Sequence, residues 1–261
     1  MSRYFITFQY DGASYHGWQV QPNGNSVQAE LQRAMSLLLR TPIEVVGAGR
    51  TDAGVHAAMM VAHFDLPGPL DCQQATYRLN RMLPRDIAVT GISPVAPDMH
   101  ARFSAVRRTY HYFVHTRKDP FADRYSCLLH YPLDFGLMNE AGRILTTYSD
   151  FGAFCKSHTD VKTTLCTVYE ARWEQMDDHR YRFVITANRF LRNMVRAVVG
   201  TMVDVGRHRL SLDGFRQVVE SRQRTHAGES MPAHALFLAD IQYPTGEQPE
   251  VPLLSKQDLC G

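Results

Sequence analysis

A glycine-rich segment at residues 47–57 has the sequence GAGRTDAGVHA and carries Arg50 and Asp52 between its glycines. Glycine permits positive φ angles and a close approach of the backbone to a ligand. A loop of this kind can place the Asp52 carboxylate against a bulky substrate. Asp52 is therefore the first candidate for chemistry in this chain.

Other interpretations of the 47–57 loop stay open on the residues alone. A glycine-rich segment is often an ordinary turn. A phosphate-binding loop is disfavoured, because the segment lacks both the G-K-[ST] ending of a P-loop and the G-x-G-x-x-G spacing of a dinucleotide-binding turn. His56 and His63 are possible metal ligands, but no acidic residue or cysteine is spaced to complete a site. Ordinary hydrogen-bonded histidines are the simpler interpretation.

A second candidate group is a series of arginines between residues 188 and 205, where the apolar spacing predicts a helix capped by Asn188. Arg189, Arg192 and Arg196 fall on one side of this predicted helix and apolar residues occupy another. A basic helix face of this kind is most often solvated surface. Its guanidinium groups are also suited to binding an anion.

The composition limits the class of protein. The 261 residues are 44% hydrophobic, which is enough for one large domain or two small ones. No apolar run approaches the roughly 20 residues that span a bilayer, and the N-terminus lacks the layout of a signal peptide. The five cysteines are odd in number and form no C-x-x-C pair, which favours free thiols in a reducing compartment. We therefore expect a cytoplasmic protein.

The net charge of +2 is below the strongly basic balance of many nucleic-acid-binding proteins, and neither proves nor excludes an RNA partner. Of the 28 basic residues 24 are arginine, whose planar fork suits phosphates and base edges. Codon bias in a GC-rich genome explains the same excess equally well.

Hydrophobic periodicity predicts the elements that position these residues. The first part of the chain reads β-α-β-β-α-β and the second part reads β-α-β-β-α-α-β, which suggests two ferredoxin-like split β-α-β units. The predicted strands are 3–10, 43–48, 57–65, 87–95, 107–116, 166–176, 181–187 and 236–243. The predicted helices are 25–40, with a cap at Asn25, and 72–82, 134–148, 188–205 and 211–222. This order is common to many proteins and does not by itself indicate a function.

The 47–57 loop resembles the signature of TruA-type tRNA pseudouridine synthases. The resemblance extends from Arg3 to about Tyr243 and covers nearly the whole chain. Its ordered motifs are YDG at 10–12, HGWQ at 16–19, SVQ at 26–28, LN at 79–80, LP at 83–84, HARF at 100–103, RTYHY at 108–112, FLRNMVR at 190–196 and VGT at 199–201. Chance agreement over some 240 residues is negligible.

The resemblance implies an α+β fold of two ferredoxin-like (split β-α-β) halves, joined around a mostly antiparallel central sheet with the active-site cleft between them. The first half, residues 1–103, would carry the catalytic aspartate. The second half, residues 104–245, would carry the base-stacking tyrosine and the arginine that pairs with the aspartate. Residues 246–261 are rich in proline and polar residues and are expected to form a loose tail.

The activity implied by the resemblance is the isomerisation of uridine to pseudouridine at positions 38 to 40 of the tRNA anticodon stem-loop. The base is detached from its sugar, rotated and rejoined through C5, without a cofactor or metal. The family acts as a homodimer on its tRNA substrate. The nucleophile attacks either C6 of the base or C1′ of the sugar, and the sequence does not separate these routes.

The site residues follow from the same motifs. Asp52 matches the family nucleophile, Arg196 the arginine that pairs with it, and Tyr110 the aromatic residue that stacks on the flipped base. Leu238 matches an apolar wall of the pocket, although a plain core residue explains it nearly as well. Residues that match the flipped-base contact or are candidates for other tRNA contacts are Arg50, Arg102, Arg78 and Arg192. Arg102 ranks first among the candidates, because HARF at 100–103 matches a family RNA-contacting segment, and ordinary surface charge is the alternative for Arg78 and Arg192.

Two positions depart from the family pattern. Ala235 stands where the family usually has glycine, and Cys166 stands where many members carry arginine. A phosphate contact at Cys166 would be lost or replaced by Lys162. Neither departure touches Asp52, Tyr110 or Arg196, so we expect an active enzyme.

Two other classes of function compete with catalysis of this kind. An RNA-binding or tRNA-chaperone module would keep Tyr110 and the arginines but would need no carboxylate, and the intact Arg50-Thr51-Asp52 sequence argues against it. An enzyme that depends on a metal or a nucleotide lacks its motifs.

Overall fold

The computed structural model describes residues 1–22, 24–156 and 162–244. The predicted tail at 246–261 lies outside these residues. The chain divides into two compact units. Unit 1 consists of Met1–Thr51, Ala57–Val106 and the described residues from Ile241 onward, and unit 2 consists of Asp52–His56 and Arg107–Asp240.

Unit 1 contains most of the first six elements, which are β1 (Ser2–Tyr10), α1 (Val27–Leu39), β2 (Val46–Gly47), β3 (His56–Leu66), α2 (Cys72–Met82) and β4 (Ile87–Val95). Strand β1 pairs antiparallel with both β3 and β4, and β2 pairs antiparallel with β3. The β1 side chains Phe5, Ile6 and Phe8 are fully buried and form the centre of this unit's core. The order agrees with the β-α-β-β-α-β prediction.

The helices of unit 1 begin at side-chain caps. The Ser26 hydroxyl accepts from the Ala29 N–H, and the Asp71 carboxylate accepts from the Gln74 N–H. Each bond satisfies a backbone donor that has no partner within the helix. The Asn25 cap prediction is therefore wrong by one residue, because Ser26 provides the oxygen that α1 uses.

Unit 2 contains the remaining elements, which are β5 (Arg107–His115), β6 (Cys127–Leu128), α3 (Phe135–Leu145), β7 (Val168–Gln175), β8 (Arg180–Ala187), α4 (Met194–Gly206), α5 (Leu212–Ser221) and β9 (Leu236–Gln242). The last two residues of β9 belong to unit 1. The strand order is β9-β5-β8-β7, and β8 is antiparallel to both of its neighbours. The two-residue strand β6, parallel to β5, was not predicted.

Helix α4 differs from its prediction in a way that affects the site. It begins at Met194, after Asn193 in the left-handed region (φ 66°), and not at Asn188. The Asn188 side chain instead accepts from the Thr167 N–H at 2.8 Å, and the Asn188 N–H donates to the Thr167 carbonyl. Asn188 is thus used to close the end of the β7–β8 hairpin. Arg189 and Arg192 therefore precede the helix, and only Arg196 lies on it.

Both units are mixed α+β with mostly antiparallel strands. Among the described residues, no helix is long and apolar enough to cross a bilayer.

Candidate active site

Asp52 is held between two arginines of unit 2. Its Oδ1 lies 3.6 Å from Arg192 Nε, and its Oδ2 lies 3.7 Å from Arg196 Nη1. Both distances exceed the length of a normal hydrogen bond, so the two contacts are ion pairs without a short hydrogen bond between carboxylate and guanidinium. The Asp52 side chain is 28% exposed. The arrangement keeps the carboxylate oriented and accessible from solvent.

The backbone turns directly after Asp52. The Val55 N–H donates to the Asp52 carbonyl at 3.2 Å. Gly54 lies at φ 76°, a conformation that residues with a Cβ rarely adopt. Val55 and His56 are then buried. The glycine in this part of the loop is required by the turn that presents Asp52.

The residue before Asp52 is fixed within unit 1. The Thr51 hydroxyl lies 2.8 Å from the Tyr10 hydroxyl, and the Trp18 N–H donates to the Thr51 carbonyl at 3.3 Å. A Cβ on Gly47 would lie 2.6 Å from the Trp18 indole, so the close packing of this ring requires glycine. These contacts fix the backbone that leads into Asp52.

Arg196 lies in the first turn of α4, and its side chain is 21% exposed. Its Nε donates to the Met231 carbonyl at 2.5 Å, and the Met231 N–H donates to the Arg196 carbonyl at 3.1 Å. One edge of the guanidinium is thus fixed, and Nη1 is directed at Asp52. Arg192 is more exposed, at 57%, and its carbonyl accepts from the Lys156 N–H.

Tyr110 lies on β5 with its side chain buried, and Phe190 packs edge-to-face on its ring at a centroid distance of 5.0 Å. Burial raises the pKa of Tyr110 to about 12, the Arg108 charge opposes this shift and the Asp52 charge adds to it. The electrostatic effect of Asp52 indicates that the phenol lies within its field. Tyr110 is a neutral aromatic surface at physiological pH.

Leu238 lies on β9 and is buried. The other predicted contacts, Arg50, Arg78 and Arg102, belong to unit 1 and are exposed. The Arg102 guanidinium lies 5.5 Å from the ring centre of Phe103, which is 76% exposed. The structure therefore brings Asp52, Arg192, Arg196 and Tyr110 together in unit 2.

Ala235 and Cys166, the two departures from the family pattern, are both buried. Ala235 is fully buried at the end of a short 3-10 turn (Ala233–Ala235). Cys166 is buried, and this burial raises the pKa of its thiol to about 11. A buried neutral thiol makes no phosphate contact. Lys162, which precedes Cys166 by four residues, is exposed.

The two histidines considered as metal ligands both hydrogen-bond to backbone atoms. His56 Nε2 lies 2.9 Å from the His234 carbonyl oxygen, and His63 Nδ1 accepts from the Ala101 N–H at 3.1 Å. Burial, with His100 and Arg3 nearby, lowers the pKa of His63 to about 4. Over the ranges that the structure describes, no three His, Cys, Asp or Glu side chains are grouped as metal ligands would be.

Sequence reasoning missed Phe190 and Met231 as parts of this site. Phe190 lies within a recognised motif, but only the structure shows its ring against Tyr110. Met231 contributes backbone atoms alone, so its side-chain type carries no signal.

A family model described as tRNA pseudouridine synthase matches residues 6–104 and 148–244. The protein named tRNA pseudouridine synthase A of Bacteroides fragilis is 54% identical over 245 residues, which cover 94% of this chain and 97% of that protein. The protein of the same name from Porphyromonas gingivalis is 51% identical over 248 residues, covering 94% and 98%. That of Bacillus subtilis is 40% identical over 241 residues, covering 91% and 97%.

Proposed function

Because the chain belongs to the TruA family of tRNA pseudouridine synthases, which are isomerases, we propose that it converts uridines at positions 38 to 40 of the tRNA anticodon stem-loop to pseudouridine with Asp52 as nucleophile. The observation that carries the assignment of Asp52 is its geometry. A partly exposed carboxylate lies within 4 Å of two guanidinium groups without a short hydrogen bond to either.

The carboxylate begins the reaction by attacking either C6 of the base or C1′ of the sugar. On both routes the C1′–N1 bond breaks and the base rotates. A C1′–C5 bond then forms, the bond between Asp52 and the substrate carbon breaks and gives back the carboxylate, C5 loses its proton to solvent, and N1 takes up a proton. Substrate and product have the same atoms, so the proposed reaction needs neither an oxidant nor a second substrate. Both routes stay open.

Arg196 and Arg192 have different parts in this proposal. Arg196 is fixed by Met231 and orients Asp52 while its charge favours the ionised carboxylate. Arg192 is mostly exposed and precedes α4, so its guanidinium can leave Asp52 to contact RNA. We assign Arg192 to tRNA binding on this ground.

Base flipping follows from the target. A uridine in a paired stem cannot be reached inside the duplex, and it must be turned out before an enzyme can act on it. Tyr110 offers an aromatic ring that stacks on the flipped base, and stacking of this kind contributes about 1–3 kcal/mol per base. Leu238 would provide an apolar wall, and Arg50 would stabilise the flipped state.

Binding of the tRNA backbone is assigned to exposed arginines. Arg78 and Arg102 are exposed and belong to unit 1. A single chain of net charge +2 has little attraction for a polyanion. We therefore propose a homodimer, in which basic surfaces of two copies act on one tRNA. The finer fold prediction, two ferredoxin-like halves with a cleft between them, is part of the same proposal.

The test is to map pseudouridine on tRNA from cells that lack this gene and carry either the wild-type or the Asp52→Asn protein. The wild type is expected to restore pseudouridine at positions 38 to 40, and Asp52→Asn is expected to restore none. Two results would contradict the assigned substrate. One is pseudouridine at positions 38 to 40 in cells that lack the gene, and the other is a wild-type gene that restores pseudouridine at other positions but not at these. Normal tRNA binding with no pseudouridine on any tRNA would favour an RNA-binding module.

A further inference from the structure

Residues 231–235, called here the 231–235 segment, form hydrogen bonds to several elements that carry the proposed site. At its start, Met231 exchanges two bonds with Arg196, one to the backbone carbonyl and one from the guanidinium Nε. The position of the Arg196 side chain therefore depends on where this segment lies.

The next carbonyl connects the segment to the strand of Tyr110. The Tyr112 hydroxyl donates to the Pro232 carbonyl at 3.0 Å, and Tyr112 is fully buried. Tyr112 follows Tyr110 by two residues on β5, so both side chains point to the same face of that strand.

A third bond connects the segment to the turn after Asp52. A carbonyl oxygen only accepts, so His56 carries its proton on Nε2 and donates it to His234. The imidazole is 1% exposed and stacks on Phe237 at 4.6 Å, with an interplanar angle of 24°. Ala233 Cβ also lies 3.5 Å from the position that a Cβ on Gly54 would occupy.

We propose that the 231–235 segment is a common support that sets the separation of Asp52 and Arg196, and that His56 and Tyr112 are positioning residues which hold it in place. In this proposal neither side chain contacts the substrate. Three successive contacts bind this segment to the Asp52 turn, to β5 and to α4. Loss of either buried donor would release one end of the support. The effect on turnover rests on the proposed function, whereas the effect on Arg196 does not.

The first test uses His56→Phe and Tyr112→Phe, which keep an aromatic ring and remove the hydrogen-bond donor. Turnover is measured as tritium released from tRNA labelled at uridine C5. We expect kcat to fall about 10- to 100-fold in each variant, because a displacement of about 1 Å can cost that much, with KM within about twofold of wild type. His56→Gln can donate from a similar position and is expected to recover part of the loss.

Asn139→Leu is the matched control. Asn139 makes two hydrogen bonds to the Trp173 backbone in the same unit, and neither of these bonds involves the 231–235 segment. It should lower the melting temperature while kcat stays at the wild-type value. If the two Phe variants lower kcat no more than Asn139→Leu, or if they change KM alone, the positioning role is wrong.

The second readout does not depend on catalysis. The Arg196 Nε–H is followed by 15N NMR, and its exchange with solvent is expected to be about 10-fold faster in both Phe variants and unchanged in Asn139→Leu. Unchanged exchange in both Phe variants would overturn the proposal. A wild-type protein that releases no tritium would contradict the proposed function, and the exchange rates would still decide whether the support exists.

Discussion

Asp52 Oδ2 and Arg196 Nη1 lie 3.7 Å apart, while the Nε of the same guanidinium is bonded to the Met231 carbonyl. Asp52 is thus attracted by a cation whose own position is fixed from the other side. At this separation the Coulomb attraction is substantial in a partly buried site. Neither Arg192 nor Arg196 makes a short hydrogen bond to the carboxylate, which is consistent with the nucleophilic role proposed for Asp52.

Arg196→Lys tests whether the guanidinium must bond Met231 through Nε and face Asp52 through Nη1 at the same time. Lysine keeps the charge but lacks a planar fork, so it cannot bond Met231 and face Asp52 with the same geometry. We expect single-turnover tritium release to fall about 100-fold, with tRNA affinity reduced less than about threefold. Rapid-quench kinetics and filter binding measure the two quantities.

The matched control for Arg196→Lys is Arg182→Lys, because Arg182 pairs with Glu174 on the β7–β8 hairpin of the same unit. It should keep the wild-type rate. A rate for Arg196→Lys within about twofold of wild type would show that charge alone is sufficient.

Tyr110 predicts a loss of stability at alkaline pH. Burial raises its pKa to about 12 in the folded protein, against about 10 in the unfolded chain. The contribution of the neutral phenol is fully present below pH 10 and is lost as the pH rises towards 12. Between pH 9 and pH 11 the free energy of unfolding should fall about 1 kcal/mol more in wild type than in Tyr110→Phe.

Urea unfolding at the two pH values measures this difference. Tyr15 and Tyr112 also have raised pKa values from burial, and they are present in both proteins, so their effects cancel. Equal losses in wild type and Tyr110→Phe would mean that Tyr110 is ionised as easily in the folded as in the unfolded protein.

The exposed arginines predict the salt dependence of tRNA binding. Each phosphate contact contributes about 0.7 to 0.9 to the slope of log K against log salt. Replacing Arg50, Arg78 and Arg102 by Gln should lower the slope by about two to three. The control variant has Gln in place of Arg33, Arg143 and Arg216. Each of these arginines lies within 4 Å of a carboxylate three residues earlier in the chain.

Both triple variants lose three positive charges, so a general effect of net charge would change them equally. Only the first is expected to change the slope. Equal slopes in the two variants would contradict the assigned contacts.

Local sequence patterns predict most of the helices and strands, but they do not predict the contacts between these elements. The apolar spacing and flanking residues gave α2 (Cys72–Met82) and β4 (Ile87–Val95) with their observed bounds. Asparagine favours the helix N-cap, so the sequence predicts Asn188 at that position, yet its side chain accepts from the Thr167 N–H. The choice between two suitable partners depends on tertiary structure.

The site shows the same limit. Motif resemblance selected Asp52 and Arg196, and the structure places them within 4 Å of each other. The 231–235 segment was not selected, because its hydrogen bonds to Arg196, Tyr112 and His56 use backbone atoms that any residue type provides. Likewise, no sequence pattern predicts that Asp52–His56 belongs to unit 2.

The most direct test of the central claim is tritium release from C5-labelled tRNA by Asp52→Asn and Glu174→Gln. Glu174 is the matched residue, because its carboxylate also pairs with two arginines and is 25% exposed, against 28% for Asp52. We predict that Asp52→Asn binds tRNA and releases no tritium above background, while Glu174→Gln keeps the wild-type rate. Release by Asp52→Asn at the wild-type rate would show that Asp52 is not the nucleophile.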